Sequence, residues 1–411
     1  MDANTNILIL GAGTIGLSTA YHLAKAGYKN VTVLEKSACI PADLSAGNDF
    51  NKIVRAEYEE PFYTELALKS IEAWQTPLFA PFFRKVGYLI GNSSTAPEKS
   101  RRTLEKSLST IASQPAYKNK VSLFKSREDI RAIAPVFDGP MKWQGYFNQH
   151  AGYAKAGDAL IAVYSACCTL GVKFYLGDAV ESVTYDGDRC TGAKTASGRT
   201  HAADITVFAL GANLATVLPQ IGKQVVAKAW PVGHIQLTAK EAEPLQGIPV
   251  TYARDLGFFF EPDRRTNILK LCPAVAGYTN WKSDGLSIPV STDDWIPPTD
   301  EARIRKLLRE TLPALADRPL INKKICWCAD TEDSNMIIDH VPGKKNLVVA
   351  GGDCGHCFKF LPIIGEWVKD MLEKGQQTEG RWRWKDGQQG GGDVSWRVGE
   401  TKDLKEFRAK L

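Results

Sequence analysis

Ile7-Leu8-Ile9-Leu10-Gly11-Ala12-Gly13-Thr14-Ile15-Gly16 is the stretch that decides the fold. Four consecutive aliphatic residues suit a strand covered on both faces, as strands of parallel sheets are. The glycines keep the spacing G-x-G-x-x-G and open a helical pattern from Thr14 to Ala26, followed by a second strand at Val31–Leu34. In that setting Gly11 permits the tight turn, Gly13 admits a diphosphate against the backbone, and Gly16 lets helix and strand pack closely. The exposed N–H groups at the helix start, around Thr14 and Ile15, form the anion site. Glu35 ends the second strand, placed to bond a ribose hydroxyl, with Lys36 beside it. A purely structural glycine turn has no need of that acid. The chain therefore reads as a dinucleotide binder, and these residues alone do not separate FAD from NAD.

Outward from this βαβ unit, two more α/β stretches follow. One covers 153–215, with a helix at Ala156–Leu170, strands around Phe174 and at Val180–Val183, and Ile205–Leu210 running into Gly211. The other covers 326–372, with strands Met336–Ile338 and Leu347–Ala350, a glycine-rich corner and an amphipathic helix from Ile364 to Leu372. The intervening segments differ in texture. Residues 86–150 carry a polar, Lys-rich helical stretch (Pro97–Leu108), and 226–320 hold strand-like runs at His234–Thr238, Gly257–Glu261 and Ile268–Leu271. The expected architecture is a two-domain α/β protein. Its nucleotide domain is discontinuous, built from 1–85, 151–225 and 321–380, and a mostly β substrate domain comes from 86–150 and 226–320. Residues 381–411 form a C-terminal tail.

Composition narrows the function. The 411 residues are 44% hydrophobic and 24% charged, which is ordinary globular composition. Lys and Arg number 51 against 46 Asp and Glu, a net charge of only +5 without a long basic run, so nucleic acid is not an expected partner. Every apolar run falls short of the ~20 residues a membrane helix requires. The first strand begins by Ile7 without a signal-peptide pattern. Nine cysteines, with Cys167 next to Cys168 and Cys326 two residues from Cys328, fit free thiols in a reducing compartment better than a disulfide framework.

Cys326-Trp327-Cys328 and Cys354-Gly355-His356-Cys357 contain enough thiols and imidazole for zinc, but C-x-C is tighter than the usual ligand spacing, and no metal is expected. A second reading rests on longer motifs. Cys326-Trp327-Cys328-Ala329-Asp330-Thr331, Ile337-Ile338-Asp339 and Gly355-His356-Cys357-Phe358-Lys359-Phe360-Leu361-Pro362 closely resemble fungal fructosyl amino acid oxidases (amadoriases), which belong to the monomeric sarcosine oxidase family. The segments Ser45–Lys52, Trp230–Leu237 and Gly257–Pro262 extend the resemblance, which runs from Ile7 to about Leu372 and also touches saccharopine and pipecolate oxidases. It implies a glutathione-reductase-like FAD-binding domain, with Ala203–Ala212 as a second nucleotide-contacting strand.

The resemblance also implies site residues. Cys326 would carry FAD covalently through the flavin 8α-methyl carbon, with Cys328 as the alternative, and a tethering cysteine must react as its thiolate. Lys270 matches a lysine over the flavin that activates oxygen, since a fixed cation stabilises the charge that develops on O₂. Lys52 matches a basic residue beside the flavin ring. Lys359 and Arg55 match substrate-carboxylate ligands, although an arginine at position 55 is the sarcosine oxidase pattern and not the fructosyl one. An outward-facing Lys270 and an Arg55 paired with Glu57 or Glu59 are the plain structural readings. Gly355, His356 and Lys359 belong to the flavin-contacting corner, where His356 is a ring neighbour or a structural histidine. Ala274 departs from the family, which places a glutamate or histidine there, and this disfavours a sugar-bearing substrate.

The expected activity is oxidation of the secondary amine of an N-substituted amino acid by FAD and O₂, giving an imine and hydrogen peroxide. Saccharopine-, pipecolate- or N-alkyl-type substrates rank ahead of fructosyl amino acids. A dehydrogenase using another acceptor and a catalytically silent nucleotide-binding paralogue are the alternatives; Lys270 speaks against the first, and Cys326, Lys270 and Lys359 together against the second. The oligomeric state stays open, a monomer included. Ala409-Lys410-Leu411 resembles the Ser-Lys-Leu peroxisomal address, with a cytoplasmic location as the alternative. A fluorescent fusion that preserves this tripeptide is expected to be punctate in cells and to become diffuse on its deletion; a diffuse intact fusion refutes the address.

Overall fold

The structure is a computed structural model describing residues 1–292, 294–385 and 399–408. Residues 386–398 of the Gly/Gln/Trp-rich tail and the terminal Ala409-Lys410-Leu411 lie outside the described residues.

The apolar run forms the strand Asn6–Leu10, flanked in parallel by Asn30–Glu35 and Ile205–Phe208. These sit inside a six-stranded sheet, completed by Lys173–Leu176 at one edge and by Leu347–Gly351 and the antiparallel Ile337–His340 at the other. Alternation sorts its side chains between two cores. Ile7, Ile9, Val31 and Val33 pack on the side of the helices Thr14–Lys25, Ala156–Thr169 and Ile364–Lys374. Leu8, Leu10, Leu34 and Phe208 face Cys190 and Ala193 of a three-stranded antiparallel sheet spanning Val180–Ala202.

Several glycines are required by contact distance, two of them at the first helix. A Cβ at Gly16 would lie 1.9 Å from the Gly11 carbonyl oxygen, and one at Gly365 would lie 2.0 Å from that of Ser18. The second approach lets two helices cross at backbone distance, pinned where Ser18 Oγ donates to Leu361 O at 2.7 Å and accepts from Gly365 N at 2.9 Å.

A ten-stranded sheet forms the other body. Its central strand, Val226–Gln236, pairs antiparallel with Ile268–Pro273 and with Ile321–Asp330. The amphipathic helix Pro298–Thr311 covers it with Ile304, Leu307 and Leu308. The strand carrying Cys326 thus hydrogen-bonds into the large sheet, although the sequence reading grouped 321–380 with the nucleotide unit. The reason is register: Trp230 lies opposite Cys326 and Lys228 opposite Cys328, long-range pairings that local pattern does not reveal. Cys328 consequently lines the nucleotide cleft from the large sheet, and Cys326 lies 3.9 Å from Lys52, which lines it too. No helix among the described residues is long and apolar enough to cross a membrane.

Candidate active site

A cleft of about 560 Å³ opens at the end of the parallel sheet. Gly11, Gly13, Thr14, Ile15, Glu35 and Lys36 line one stretch of it, and Val180, Gly211, Gly355, Lys52 and Cys328 line the rest. This is the crevice outside the carboxyl ends of the strands, where open α/β sheets hold nucleotides. Gly11 adopts φ +101°, and a Cβ there would lie 2.5 Å from the Ala209 carbonyl oxygen. Gly16 sits behind the turn, against Gly11. Glu35 accepts the N–H of Ala12 and of Ser37, one on each carboxylate oxygen at 2.9 Å, which orients it at the cleft wall. A helix N-terminus at Gly13, a backbone surface free of side chains and a terminal acid fit the diphosphate and ribose of FAD.

Behind the cleft wall at Lys52, lysines from three parts of the chain converge on Asp49. Its Oδ2 lies 2.5 Å from Lys270 Nζ and 2.7 Å from Lys52 Nζ. Lys270 also donates to the Asn51 carbonyl at 2.9 Å and stands 5.1 Å from the Phe260 ring centre, at 2% exposure. Its side chain is buried inward. Burial works to raise the Asp49 carboxyl, but Lys270, Lys52 and Lys324 outweigh it and hold it well below the usual carboxylate range. Burial works to lower Lys52, and Asp49 and Cys326 overcome this to raise it. His234, opposite Lys270 in the sheet, is pushed down to about 4 chiefly by burial, so it adds no third cation at neutral pH.

Cys326 Sγ lies 3.9 Å from Lys52 Nζ and 3.9 Å from the carbonyl of Ala46, two residues that line the cleft. Strand alternation puts Cys328 on the same face, and a hydrogen bond from its thiol, with the Lys52 charge, outweighs burial and lowers the Cys326 thiol. The same bond and burial raise Cys328. Of the two candidates, Cys326 is the one whose surroundings favour the thiolate. Among the described residues no three His, Cys, Asp or Glu side chains gather as a metal cage. Cys354 instead shares a hydrogen bond with Thr331 Oγ1 at 3.1 Å.

The second constellation centres on Tyr58. Its hydroxyl accepts from Lys359 Nζ at 2.8 Å and lies 2.9 Å from His356 Nδ1, and the Arg55 guanidinium stands 5.2 Å from its ring centre. Arg55 donates to the backbone carbonyl of Glu57, so the simple carboxylate pairing weighed for it does not form. Burial, then the Arg55 charge, holds Lys359 well below the usual lysine range. His356 and Arg55 line a second cleft of about 290 Å³, and His356 Nε2 is 3.0 Å from the Ser334 carbonyl oxygen. Neither His356 nor Lys359 is among the residues lining the first cleft. Ala274 follows Lys270 and Cys272 along one face of the strand and its extension and lines neither cleft. Asp49 and Tyr58 carry no motif of their own. Asp49 was visible only as part of Ser45–Lys52, and Tyr58 gave no signal.

The profile of the FAD-dependent oxidoreductase family (DAO) matches residues 6–371. The chain is 33% identical to L-saccharopine oxidase of Schizosaccharomyces pombe, across 95% of each chain. It is 24% identical to a monomeric sarcosine oxidase of a Bacillus species, covering 92% of this chain and 94% of that one. Among solved structures, the fructosamine oxidase Amadoriase II of Aspergillus fumigatus superposes with a TM-score of 0.90 at 33% identity, covering 99% and 97% of the two chains. The fructosyl peptide oxidase of E. terrenum gives 0.91 at 34%, covering 99% and 98%. With a glycine turn shaped for FAD, a family profile spanning nearly the whole chain, and relatives that share its full length, the chain belongs to the FAD-dependent oxidoreductases, in the group that contains the sarcosine oxidases, L-saccharopine oxidase and the amadoriases.

Proposed function

We propose that the protein is a FAD-dependent oxidase of secondary amines on N-substituted amino acids, with FAD joined to Cys326 as an 8α-S-cysteinyl thioether and hydrogen peroxide as a product. The observation that carries this reading is the Asp49–Lys52–Lys270–Cys326 cluster at the Lys52 wall of the nucleotide cleft. FAD bound there would accept a hydride equivalent from the carbon next to the amine nitrogen, the nitrogen losing its proton, and would pass the two electrons to O₂.

The protein's own groups do the rest by charge and position. Cys326, kept as thiolate by Lys52 and Cys328, is the nucleophile for the tether. Lys270, buried and fixed by Asp49 and the Asn51 carbonyl, is a preorganised cation for the charge that develops on oxygen. That placement favours O₂ over another electron acceptor. Arg55 and Lys359 flank Tyr58 and supply a carboxylate site beside the reacting amine. An incoming carboxylate would raise the depressed Lys359 ammonium and complete that site. The amine must arrive neutral, and the imine it becomes hydrolyses in water. Saccharopine-type or other N-alkyl amino acids rank ahead of fructosyl ones, a ranking supported by the 33% identity to L-saccharopine oxidase across 95% of each chain; amadoriase activity is the second reading, favoured by the solved structures the chain resembles. Peroxide release suits the peroxisomal address proposed from the tripeptide.

A screen of purified protein for peroxide release against N-substituted amino acids tests the activity; preference for fructosyl-glycine or fructosyl-valine would overturn the reading of Ala274. Acid-precipitated protein should stay yellow, with FAD mass on the Cys326 peptide, and flavin released wholly to the supernatant would exclude the tether. Lys270→Met should slow reoxidation by O₂ by roughly 10²–10³ and leave anaerobic reduction by substrate little changed. Asp49→Asn strips the counter-charge from two ammonium groups and should cost about 3–5 kcal/mol in denaturant unfolding. Because the folded Asp49 carboxyl is depressed, its contribution should be full above the unfolded value of about 4 and disappear progressively as pH falls below it, a dependence absent from Asp49→Asn.

A further inference from the structure

The second cleft gathers four buried polar atoms without a hydrogen-bond partner among the described residues: Arg254 Nη2, Tyr88 Oη, Ser334 Oγ and Glu57 Oε2. Buried polar groups are nearly always paired, so several orphans around one cavity mark the place of a polar ligand. Arg254 matters most. It is only 4% exposed, and no carboxylate among the described residues pairs with its guanidinium. The adjacent Asp255 is turned to Ser93, accepting its N–H at 3.0 Å and its hydroxyl at 2.5 Å. Of the other acids of the cleft wall, Glu60 meets Arg381, Asp333 meets Lys385, Glu59 lies 3.8 Å from Lys106, and Glu57 accepts from Asn148 Nδ2 on Oε1 at 2.6 Å, forming no ion pair with Arg254. A guanidinium does not shed its charge in a protein, so its burial calls for an anion that the ligand must bring.

The fold fixes where that anion would sit. Val250–Ala253 runs parallel to Tyr88–Asn92, with Val250 opposite Tyr88 and Tyr252 opposite Ile90. Residues two apart share a face, which puts Arg254 with Tyr252, Ile90 and Tyr88 on one wall of the cleft. Arg55, of the first carboxylate site, lines the same cleft.

On the reading that the substrate is an N-substituted amino acid, we propose that Arg254, helped by the Tyr88 and Ser334 hydroxyls, binds a second carboxylate carried on the other arm of the amine. The enzyme then selects secondary amines that join two carboxylate-bearing arms. A sugar arm would satisfy the hydroxyls and leave the Arg254 charge unmatched. Glu57 Oε2, the one pure acceptor of the four when ionised, takes an N–H of the same ligand.

The test compares an N-(1,3-dicarboxypropyl) amino acid with its N-propyl counterpart as substrates for wild type, Arg254→Met, Arg254→Lys and Tyr88→Phe. Arg254→Met should lower kcat/KM for the dicarboxypropyl amine on the order of a hundredfold, through KM, and leave the N-propyl amine unchanged. Arg254→Lys should recover part of the loss, and Tyr88→Phe should raise the same KM several-fold. Titration of the oxidised holoenzyme with glutarate and with butyrate, followed by flavin absorbance, reads binding without turnover; only glutarate should weaken in Arg254→Met. Equal effects on both amines and both acids, or none, overturn the assignment. If wild type oxidises neither amine, the amine-oxidase reading falls, and the glutarate titration still decides whether Arg254 holds a carboxylate.

Discussion

One buried carboxylate holds the reactive end of the molecule together. Asp49 takes two ammonium groups on a single oxygen and binds the 49–52 segment to the large-sheet strand Ile268–Pro273. Two lysines so close would otherwise repel and shed a proton, since burial and a like charge both disfavour the charged form. Asp49 raises Lys52 against burial, and Lys52 joins the hydrogen bond from Cys328 in lowering the Cys326 thiol. The oxygen-activating charge and the tethering nucleophile of the proposed mechanism therefore rest on the same carboxylate.

Charge around this centre is distributed unevenly, and the unevenness divides the work. The Asp49 cluster is balanced internally: Asp49 stays ionised, Lys52 charged and His234 neutral. The Tyr58 corner is not. Lys359 meets a phenol hydroxyl and a carbonyl, and Arg55 meets a carbonyl and the face of a ring. Cations satisfied only by neutral acceptors remain available to an anion. In the proposed mechanism the first site is thus finished before substrate arrives, and the second is completed by it.

The architecture separates these tasks physically. The parallel sheet and its glycine turn provide a backbone surface for a diphosphate, and the large sheet delivers Lys270, Cys326 and the walls of the second cleft. Tyr58, beyond the short strand Lys52–Val54, is bonded to His356 and Lys359 of the corner that follows Leu347–Gly351. A change in the packing of the two sheets would move Lys270 and Cys326 together, because both of their strands pair with Val226–Gln236.

The sequence by itself determined the βαβ unit, the glycine turn, the acid at Glu35 and the candidate cysteines and lysines. Those features are local: a strand's aliphatic run, the left-handed φ of Gly11 and helical periodicity are set within a few residues. Tertiary structure alone decided which groups meet. Lys270 reaches Asp49 across 221 residues and Cys326 reaches Lys52 across 274, contacts that no spacing rule contains. It also moved the Cys326 strand into the large sheet, gave Tyr58 its place between Arg55 and Lys359, and left Arg254 buried without an acid. Such facts depend on strand register and on burial, which set both the partner and the charge of a titratable side chain, and neither exists until the sheets have closed on each other.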